Sequence, residues 1–419
     1  MLEWNKVQQA NSPATRLLNM GLRFRVCISF LLAILLSTGA LAGTSTTATK
    51  SVKRDGKVAE SSHTKKRLAR LRHSRKLHNV RLKRHVRYYE RFYTSSYATD
   101  ITDGDNAAGE DQIVRQAAID ALGDMNGTMV AIDPASGRIL AMVNQKLALS
   151  EGAQPCSTIK LSVALAALSE KIITRETEVT LGKRLQMNLT EALAHSNNAF
   201  FEALGRRLGF ERVSYYAHQY GLGELAGFDI EGEHLGVYPS HVLDSSLGGV
   251  GKMCSFGEGV SVTPLQLGAL VSAIANGGTL YYLQHPTAPE DIANFQPVVK
   301  RHLDIAPLIP EISDGMEGAV QFGTARRLRT NFSEEEVLGK TGTCSHAGTR
   351  FGWFASYAKT DIGHIVVVVF LEGGRPTFGP KAAEIAGVMY RNLYDHNFFV
   401  PKPTLPSDSA TVRQLGAPQ

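Results

Sequence analysis

Strand-forming segments stand at both ends of a long helical region, and this arrangement most constrains the fold. Near the front, residues 128–133 (TMVAID) and 138–143 (RILAMV) flank the turn sequence PASG at 134–137, which predicts a hairpin. Near the back, residues 364–371 (HIVVVVFL) have the unbroken apolar character of a strand buried on both faces. Because the segments between them read as helices, we predict one α+β domain.

The helices between these strands have clear start and stop signals. Residues 157–170 follow a proline and predict an apolar helix, and residues 189–208 are mostly helical. Residues 263–266 (TPLQ) form a capping box with proline at the first helical position, and this helix ends at an Asn-Gly-Gly sequence. Two later segments complete the domain, namely a strand at 353–357 and a closing helix at 382–395.

The first part of the chain predicts export. Residues 26–42 form an uncharged apolar run of 17 residues, preceded by three arginines and ending in Ala-Leu-Ala, which a signal peptidase can cut. The run is also close to the shortest length that spans a membrane. We therefore predict that residues 1–43 are a signal peptide or an N-terminal membrane anchor. In either case the chain belongs to the cell envelope, anchored in the inner membrane with its domain outside or secreted to the periplasm.

A basic tract follows the apolar run. Residues 50–91 contain 16 Lys and Arg against three acidic residues, although the whole chain has a net charge of only +6. We interpret residues 44–109 as a basic, low-complexity spacer that is either solvated or in contact with anionic lipid or wall polymer. Nucleic acid is not expected as a partner, because the chain is exported. Residues 110–398 form the domain, and the Pro/Ser-rich residues 399–419 predict a flexible tail.

The start of the first apolar helix has a pattern suited to nucleophilic catalysis. Residues 157–160 (STIK) place the Ser157 hydroxyl and the Lys160 amine three residues apart, on one helical face. A serine is a weak nucleophile until a base takes its proton, and a lysine kept neutral by burial can be that base. S-x-x-K also occurs at residues 62–65 and 356–359, so the pattern alone is weak evidence. A surface lysine is the competing interpretation of Lys160.

Two more motifs follow in order along the chain. Ser196 and Asn198 form S-x-N, 39 residues after Ser157, and residues 340–343 (KTGT) begin 183 residues after it. The glycine of K-T-G lets a substrate backbone lie close, while its lysine and the threonine hydroxyls offer one charge and two donors to a carboxylate. A helix cap is the competing interpretation of S-x-N. The ordered trio is stronger evidence than any of its members.

With this trio the sequence resembles the penicillin-binding, serine D,D-transpeptidase family, which shares its fold with the serine β-lactamases. The resemblance covers roughly residues 128–394 and includes DPASG at 133–137, FGEGVSVTPLQ at 256–266 and AIANGG at 273–278. It implies an antiparallel sheet packed by helices, an all-helical subdomain and an active site in the cleft between them. In this family the domain is the transpeptidase, or penicillin-binding, domain.

The resemblance also implies the catalytic roles. Ser157 would attack the carbonyl of the penultimate D-alanine of a peptidoglycan stem peptide and form an acyl-enzyme. Lys160 would accept the serine proton, and Ser196 would relay a proton to the leaving D-alanine. Backbone N–H groups of Ser157 and Thr343 would form the oxyanion hole, where one donor is worth on the order of 10²–10³ in rate.

Substrate binding is implied at the remaining positions of the motifs. Asn198 would hold the substrate amide, and Lys340, Thr341, Gly342 and Thr343 would bind the terminal carboxylate of a stem peptide ending in D-Ala-D-Ala. The resemblance further implies β-lactams as covalent inhibitors and work within a cell-wall synthesis complex. No cofactor or metal is expected, and the 13 histidines lack the spacing of a metal site.

Several alternatives remain open from the sequence. The same fold supports a D,D-carboxypeptidase, a serine β-lactamase, or a penicillin-binding sensor or scaffold that does not turn over. Cys156 stands before the nucleophile, where the family often has Gly or Ala. Together with Cys254 and Cys344 it flanks the family segments. Two of the three cysteines could pair in an exported protein, although we prefer three buried thiols.

Overall fold

The computed structural model describes residues 91–182 and 185–401. The predictions for residues 1–43, for most of the spacer and for the tail beyond residue 401 therefore lie outside the described residues. The helices within the described ranges are α1 (Gln112–Leu122), α2 (Gln145–Ala148), α3 (Lys160–Ser169), α4 (Leu189–Ala194), α5 (Asn198–Gln219), α6 (Gly249–Phe256), α7 (Pro264–Ala275), α8 (Pro289–Ala293), α9 (Ile309–Gln321) and α10 (Gly379–Asp395).

A five-stranded antiparallel sheet forms the centre of the domain, with the strand order β2-β1-β9-β8-β7. Two small two-stranded sheets, β3 with β4 and β5 with β6, are separate from it. The strands are β1 (Gly127–Asp133), β2 (Arg138–Val143), β3 (Val179–Thr180), β4 (Gln186–Met187), β5 (Thr279–Tyr281), β6 (Val299–His302), β7 (Glu336–His346), β8 (Thr349–Thr360) and β9 (Gly363–Gly373). The predicted α+β class with an antiparallel sheet packed by helices is confirmed.

Strand β9 lies in the middle of this sheet and divides two cores. Val366, Val368 and Phe370 face one hydrophobic cluster, which includes the side chains of α3, α5 and α7. Val367 and Val369 face a second cluster, formed with α1 and α10. Side chains alternate along a strand, so a strand covered on both sides must be apolar at every position. The prediction of a strand buried on both faces is confirmed.

The predicted helix signals are also present in the structure. The Thr263 side chain accepts from the backbone N–H of Gln266, and the Gln266 side chain accepts from the backbone N–H of Thr263. Pro264 is the first residue of α7, and Asn276 follows its last residue. All of α7 is buried, which places it between the sheet and the other helices of the first cluster.

The packed region begins earlier than the boundary that the sequence predicts at residue 110. Arg115 pairs with Asp105 at 3.0 Å and with Glu110 at 2.8 Å, and Glu110 also accepts from His285 Nε2 at 2.9 Å. Further upstream, Ser96 is buried and its hydroxyl accepts from the backbone N–H of Gly374. The end of the spacer segment is therefore tied to the domain by buried polar contacts.

Strand β7 is one of the two edge strands of the sheet and carries the K-T-G-T motif. Along β7, Leu338 faces the first cluster and Val337 faces the second. By alternation, Lys340, Gly342 and Cys344 point toward the helices of the first cluster. Over the described part of the chain, no helix combines the length and the apolar character needed to span a membrane.

Candidate active site

Ser157 and Lys160 lie on one face of a single tight turn. A 3-10 turn at Cys156–Ile159 leads directly into α3, whose first residue is Lys160. In 3-10 geometry residues i and i+3 eclipse, so the serine and the lysine stack one above the other. Lys160 Nζ lies 2.8 Å from Ser157 Oγ. Ser157 is 8% exposed and Lys160 is fully buried, which rules out the surface-lysine interpretation.

The Lys160 amine has four oxygen neighbours. Besides Ser157, they are the Asn198 side-chain oxygen at 2.6 Å, the Ser196 carbonyl oxygen at 2.9 Å and the Ser196 hydroxyl at 3.1 Å. The amide oxygen and the carbonyl oxygen can only accept hydrogen bonds. A neutral amine has two N–H donors and one lone pair, so these two acceptors use both donors. The lone pair is then left to face a hydroxyl.

The S-x-N motif divides its tasks among three adjacent residues. Asn197 is the N-cap of α5, and its side chain accepts from the backbone N–H of Phe200 at 3.0 Å. The helix-cap interpretation therefore applies to Asn197, and the side chains of Ser196 and Asn198 both reach Lys160. Ser196 has a φ of 56°, a left-handed conformation that is rare for serine and that is common at functional sites.

Lys340 joins this cluster from the edge of the sheet. Its Nζ donates to Ser196 Oγ at 2.8 Å and to the carbonyl of Thr341 at 3.1 Å. The Ser196 hydroxyl thus stands between two amines, Lys160 on α3 and Lys340 on β7. The structure brings all three sequence motifs into one site, as the ordered trio predicts.

Burial changes the acid–base properties of both lysines. Burial, reinforced by the positive charge of Lys340, lowers the pKa of Lys160 to about 6. Burial likewise lowers the pKa of Lys340 to about 7. At neutral pH Lys160 is therefore mostly neutral and can accept a proton, while a substantial fraction of Lys340 stays charged.

The two threonines of K-T-G-T are already hydrogen-bonded within the protein. Thr341 Oγ1 donates to Thr324 Oγ1 at 2.7 Å, and Thr343 Oγ1 accepts from the backbone N–H of Gly379 at 2.7 Å. Because a hydroxyl has one proton and two lone pairs, Thr343 can still donate to a ligand. Thr324 and Gly379 were not predicted from the sequence, because neither belongs to a local motif.

Gly342 has a structural reason to be glycine that involves no substrate. A Cβ added there would lie 2.8 Å from the Pro155 carbonyl oxygen and 3.2 Å from the Thr158 methyl group. Strand β7 therefore passes directly against the segment that presents Ser157. The close approach predicted at this glycine is made by the protein's own backbone.

A disulfide links the two segments at the same place. Cys156, which precedes the nucleophile, is bonded to Cys344, which follows K-T-G-T, with a Cα–Cα distance of 5.5 Å. Cys254 is free and buried. The preference for three thiols was therefore wrong, because the spacing of cysteines along the chain does not report their distance in the fold. No group of three or more potential metal-ligating side chains occurs within residues 91–182 and 185–401.

Comparison with known proteins shows the family to which the chain belongs. Residues 127–391, more than half of the chain, match the family described as the penicillin binding protein transpeptidase domain. The chain belongs to this family, as the motifs indicate.

The chain is also similar in sequence to named proteins. The chain is 29% identical over 317 residues to stage V sporulation protein D of Bacillus subtilis, an alignment covering 63% of this chain and 48% of that protein. It is 23% identical over 348 residues to peptidoglycan D,D-transpeptidase MrdA of Acinetobacter baumannii, covering 63% and 50%. The chain thus spans about half the length of the curated relatives it matches.

A solved structure supports the fold. Pseudomonas aeruginosa PBP2, crystallised in complex with WCK 5153, aligns with a TM-score of 0.57 at 22% identity. The alignment covers 72% of this chain and 77% of that one.

Proposed function

We propose that this protein is a serine D,D-transpeptidase that cross-links peptidoglycan stem peptides through an acyl-enzyme on Ser157. The observation that carries the proposal is the buried Lys160 amine, 2.8 Å from Ser157 Oγ and linked through Ser196 to Lys340. The names of the relatives, among them a peptidoglycan D,D-transpeptidase, support the same reaction. Membership of the penicillin binding protein transpeptidase family supports acyl transfer at a serine.

Acylation begins with proton transfer from Ser157 to Lys160. The Lys160 amine is neutral near pH 7 because burial lowers its pKa to about 6. Asn198 and the Ser196 carbonyl occupy its two N–H donors, which directs the lone pair to the hydroxyl. The Ser157 oxygen then attacks the carbonyl of the penultimate D-alanine, and the charge on the carbonyl oxygen is stabilised by backbone N–H groups of Ser157 and Thr343.

Ser196 is placed to return the proton to the leaving group. Once protonated, Lys160 has three N–H donors. Two of them bond to Asn198 and to the Ser196 carbonyl, and the third can reach the Ser196 hydroxyl at 3.1 Å. Ser196 can pass its own proton to the departing D-alanine amine while it takes one from Lys160. Lys340, 2.8 Å from the same hydroxyl, opposes positive charge on Lys160 and so drives the proton outward.

The substrate carboxylate is assigned to the edge of β7. Lys340 supplies the charge, and the hydroxyl of Thr343 supplies a hydrogen bond. The hydroxyl of Thr341 would supply a second one on giving up its hydrogen bond to Thr324. The N–H groups that point away from β8 are available because β7 is an edge strand. A β-lactam would bind the same way, with its carboxylate at Lys340 and its ring carbonyl at Ser157.

The proposal is tested by acylation with a fluorescent penicillin. We expect the wild-type protein to be labelled covalently and stably. Ser157→Ala should remove the label because the nucleophile is absent, and Lys160→Ala should reduce acylation by about 10²–10⁴-fold because the base is absent. Both variants should keep the wild-type circular dichroism spectrum. Labelling of Ser157→Ala at the wild-type rate would disprove the proposal.

Assays with stem peptides and with a chromogenic β-lactam distinguish the alternatives. Release of a D-alanine from a stem peptide with water as acceptor, without cross-linked product, would indicate a carboxypeptidase. Rapid turnover of a chromogenic β-lactam would indicate a β-lactamase. Stable labelling without any reaction on stem peptides would indicate a sensor or scaffold. A product joined to the amine of a second stem peptide is the result expected of a transpeptidase.

We place this reaction in the cell envelope, where peptidoglycan is assembled. The apolar run at residues 26–42 is proposed as the export signal or as an inner-membrane anchor, with the domain outside. Fractionation with N-terminal sequencing distinguishes the two. An anchored chain stays with the membrane at its full length, whereas a cleaved chain begins near residue 43 and is soluble in the periplasm. Retention in the cytoplasm would contradict both. A cell-wall synthesis complex is the setting we propose for it.

A further inference from the structure

The disulfide between Cys156 and Cys344 joins the two halves of the proposed site. One cysteine precedes the nucleophile Ser157, and the other follows the carboxylate-binding strand segment at residues 340–343. The two are 188 residues apart in the chain. Neither cysteine is needed for the reaction described above, so the bond requires its own explanation.

The backbone of Cys156 is unusual. Its φ is 52°, which places a residue other than glycine in the left-handed region, immediately before the nucleophile. This torsion sets the direction in which the Ser157 N–H and hydroxyl point. An ordinary side chain disfavours that conformation, so something must hold it there.

Other contacts hold the preceding residues without help from the disulfide. The Gln154 carbonyl accepts from Trp353 Nε1 at 3.0 Å, and the Pro155 carbonyl accepts from the backbone N–H and the hydroxyl of Thr158. Pro155 also lies against Gly342 on β7. If the S–S bond opened, these contacts would keep Gln154 and Pro155 in place. We expect any change to centre on Cys156, which lies within the turn that the two Thr158 hydrogen bonds close.

We propose that the Cys156–Cys344 disulfide is a positioning element of the acylation site, which holds residue 156 in its left-handed conformation and makes acylation of Ser157 sensitive to reduction. The proposal rests on the proposed function, since it concerns the rate at which Ser157 is acylated. It assigns to the bond the task of orienting Ser157 rather than of holding the fold together.

A dithiol is the class of reductant that can open this bond. Cys156 is fully buried, whereas Cys344 is partly exposed, beside a cavity of about 570 Å³ that Gln154 and Phe351 help to line. One thiolate of the dithiol attacks Cys344 Sγ, the S–S bond breaks, and Cys156 leaves as a thiolate that takes up a proton. The second thiol then displaces Cys344 as a thiol, and the reductant becomes a disulfide.

The third cysteine does not interfere with this chemistry. Cys254 is fully buried, and burial raises the pKa of its thiol to about 12. Only a thiolate attacks a disulfide, so Cys254 stays inert. It therefore serves as the matched control.

The test measures penicillin acylation of the full chain in the oxidised state and after reduction by dithiothreitol. Time courses at several penicillin concentrations separate the dissociation constant from the acylation rate constant. We expect reduction to lower the rate constant about tenfold, the scale set by one disfavoured backbone conformation. The dissociation constant should change little, because Lys340 and the carboxylate site are untouched. Reoxidation should restore the rate.

Substitutions separate the backbone torsion from the covalent bond. Cys156→Ser with Cys344→Ser should match the reduced protein, because a serine at position 156 disfavours the left-handed conformation as cysteine does. Cys156→Gly with Cys344→Ser should stay within about threefold of the oxidised protein, because glycine adopts that conformation freely. Cys254→Ala should keep the wild-type response to reduction. Mass spectrometry verifies the state of the bond, and a melting curve verifies that each protein is folded.

The outcomes are distinguishable. No acylation of the oxidised protein would overturn the proposed function and this inference with it. Equal acylation rate constants in the oxidised and reduced states would overturn the inference alone. A glycine variant as slow as the serine variant would also overturn it, since the bond would then act by something other than the torsion of residue 156.

Discussion

At the level of single residues, the neighbours Ser196 and Asn197 have different roles, one in the proposed chemistry and the other in the structure. Asn197 caps α5, while Ser196 turns its hydroxyl to the two lysines. The left-handed backbone of Ser196 makes this division possible, because it points the two side chains in different directions. A polar run before a helix is usually read as a cap, and here only one of its members has that role.

This division predicts opposite effects for two adjacent substitutions. Asn197→Ala should lower the free energy of unfolding by about 1 kcal/mol through loss of the cap. It should alter penicillin acylation far less than Ser196→Ala does. Ser196→Ala should slow acylation by about 10²–10⁴-fold through loss of the proton path, with little change in stability. Denaturant titration and acylation kinetics measure the two effects, and the reverse pattern would contradict the assignment.

The two lysines predict a bell-shaped pH dependence of acylation. The rate should rise as the pH passes about 6, because Lys160 must lose its proton to act as a base. It should fall above about 7, because Lys340 then loses the charge that attracts the carboxylate. The two amines interact, so both limbs describe the pair. Acylation rates between pH 5 and 9 check this, and in Lys340→Met the alkaline limb should disappear.

At the scale of elements, the site depends on how closely strand β7 approaches the turn that carries Ser157. The approach is possible because Gly342 has no side chain where the Pro155 carbonyl lies. The disulfide closes the same contact one pair of residues further along the strand. The hydrogen bond from Lys340 to Ser196 therefore depends on the packing of these two backbone segments as well as on the side chains.

Gly342→Ala tests this contact. The added Cβ would lie 2.8 Å from the Pro155 oxygen, so the strand or the turn must shift. We expect a loss of stability of about 1–3 kcal/mol from overpacking and slower acylation. Gly374→Ala, directly after the end of β9, is the control, because its Cβ would meet its nearest atom at 3.5 Å. Wild-type stability and rate in Gly342→Ala would show that the two segments are not in close contact.

For the molecule as a whole, buried ion pairs hold the segment that precedes α1 against the domain. These ion pairs are distant in sequence from the three catalytic motifs. The side chains of Asp105 and Glu110 are at most 2% exposed, and both pair with Arg115. Glu110 also contacts His285 and the backbone N–H of Met142. These contacts join the segment that precedes β1 to residues that come later in the domain.

Arg115→Ala should therefore destabilise the protein by about 3–5 kcal/mol, because it leaves two buried carboxylates without their cation. The exposed pair Lys359–Glu336 is the control, and Lys359→Ala should cost about 0–1 kcal/mol. Urea unfolding measures both. Acylation of folded Arg115→Ala should stay near the wild-type rate, and equal stabilities of the two variants would contradict the role of the buried pairs.

Much of the fold could be predicted because its signals are local. The apolar sequence of β9, the turn between β1 and β2, and the capping box of α7 each follow from the torsions and hydrogen bonds of adjacent residues. The segment before residue 110 was assigned to the spacer because its buried partners, such as Gly374, are distant in sequence. The pairing of Cys156 with Cys344 was missed for the same reason.

The class of fold, the order of the three motifs and the residues proposed to carry acyl transfer could all be predicted from the amino-acid sequence alone. The fold class follows from residue types and local spacing, and the roles of the residues follow from the resemblance to the penicillin-binding family. Only the tertiary structure decided that Lys160 is buried, that Ser196 stands between two amines, and that the cysteines at positions 156 and 344 meet. Burial and contact depend on the whole chain, since the lowering of an amine pKa and the closing of a disulfide both require segments that the sequence keeps far apart.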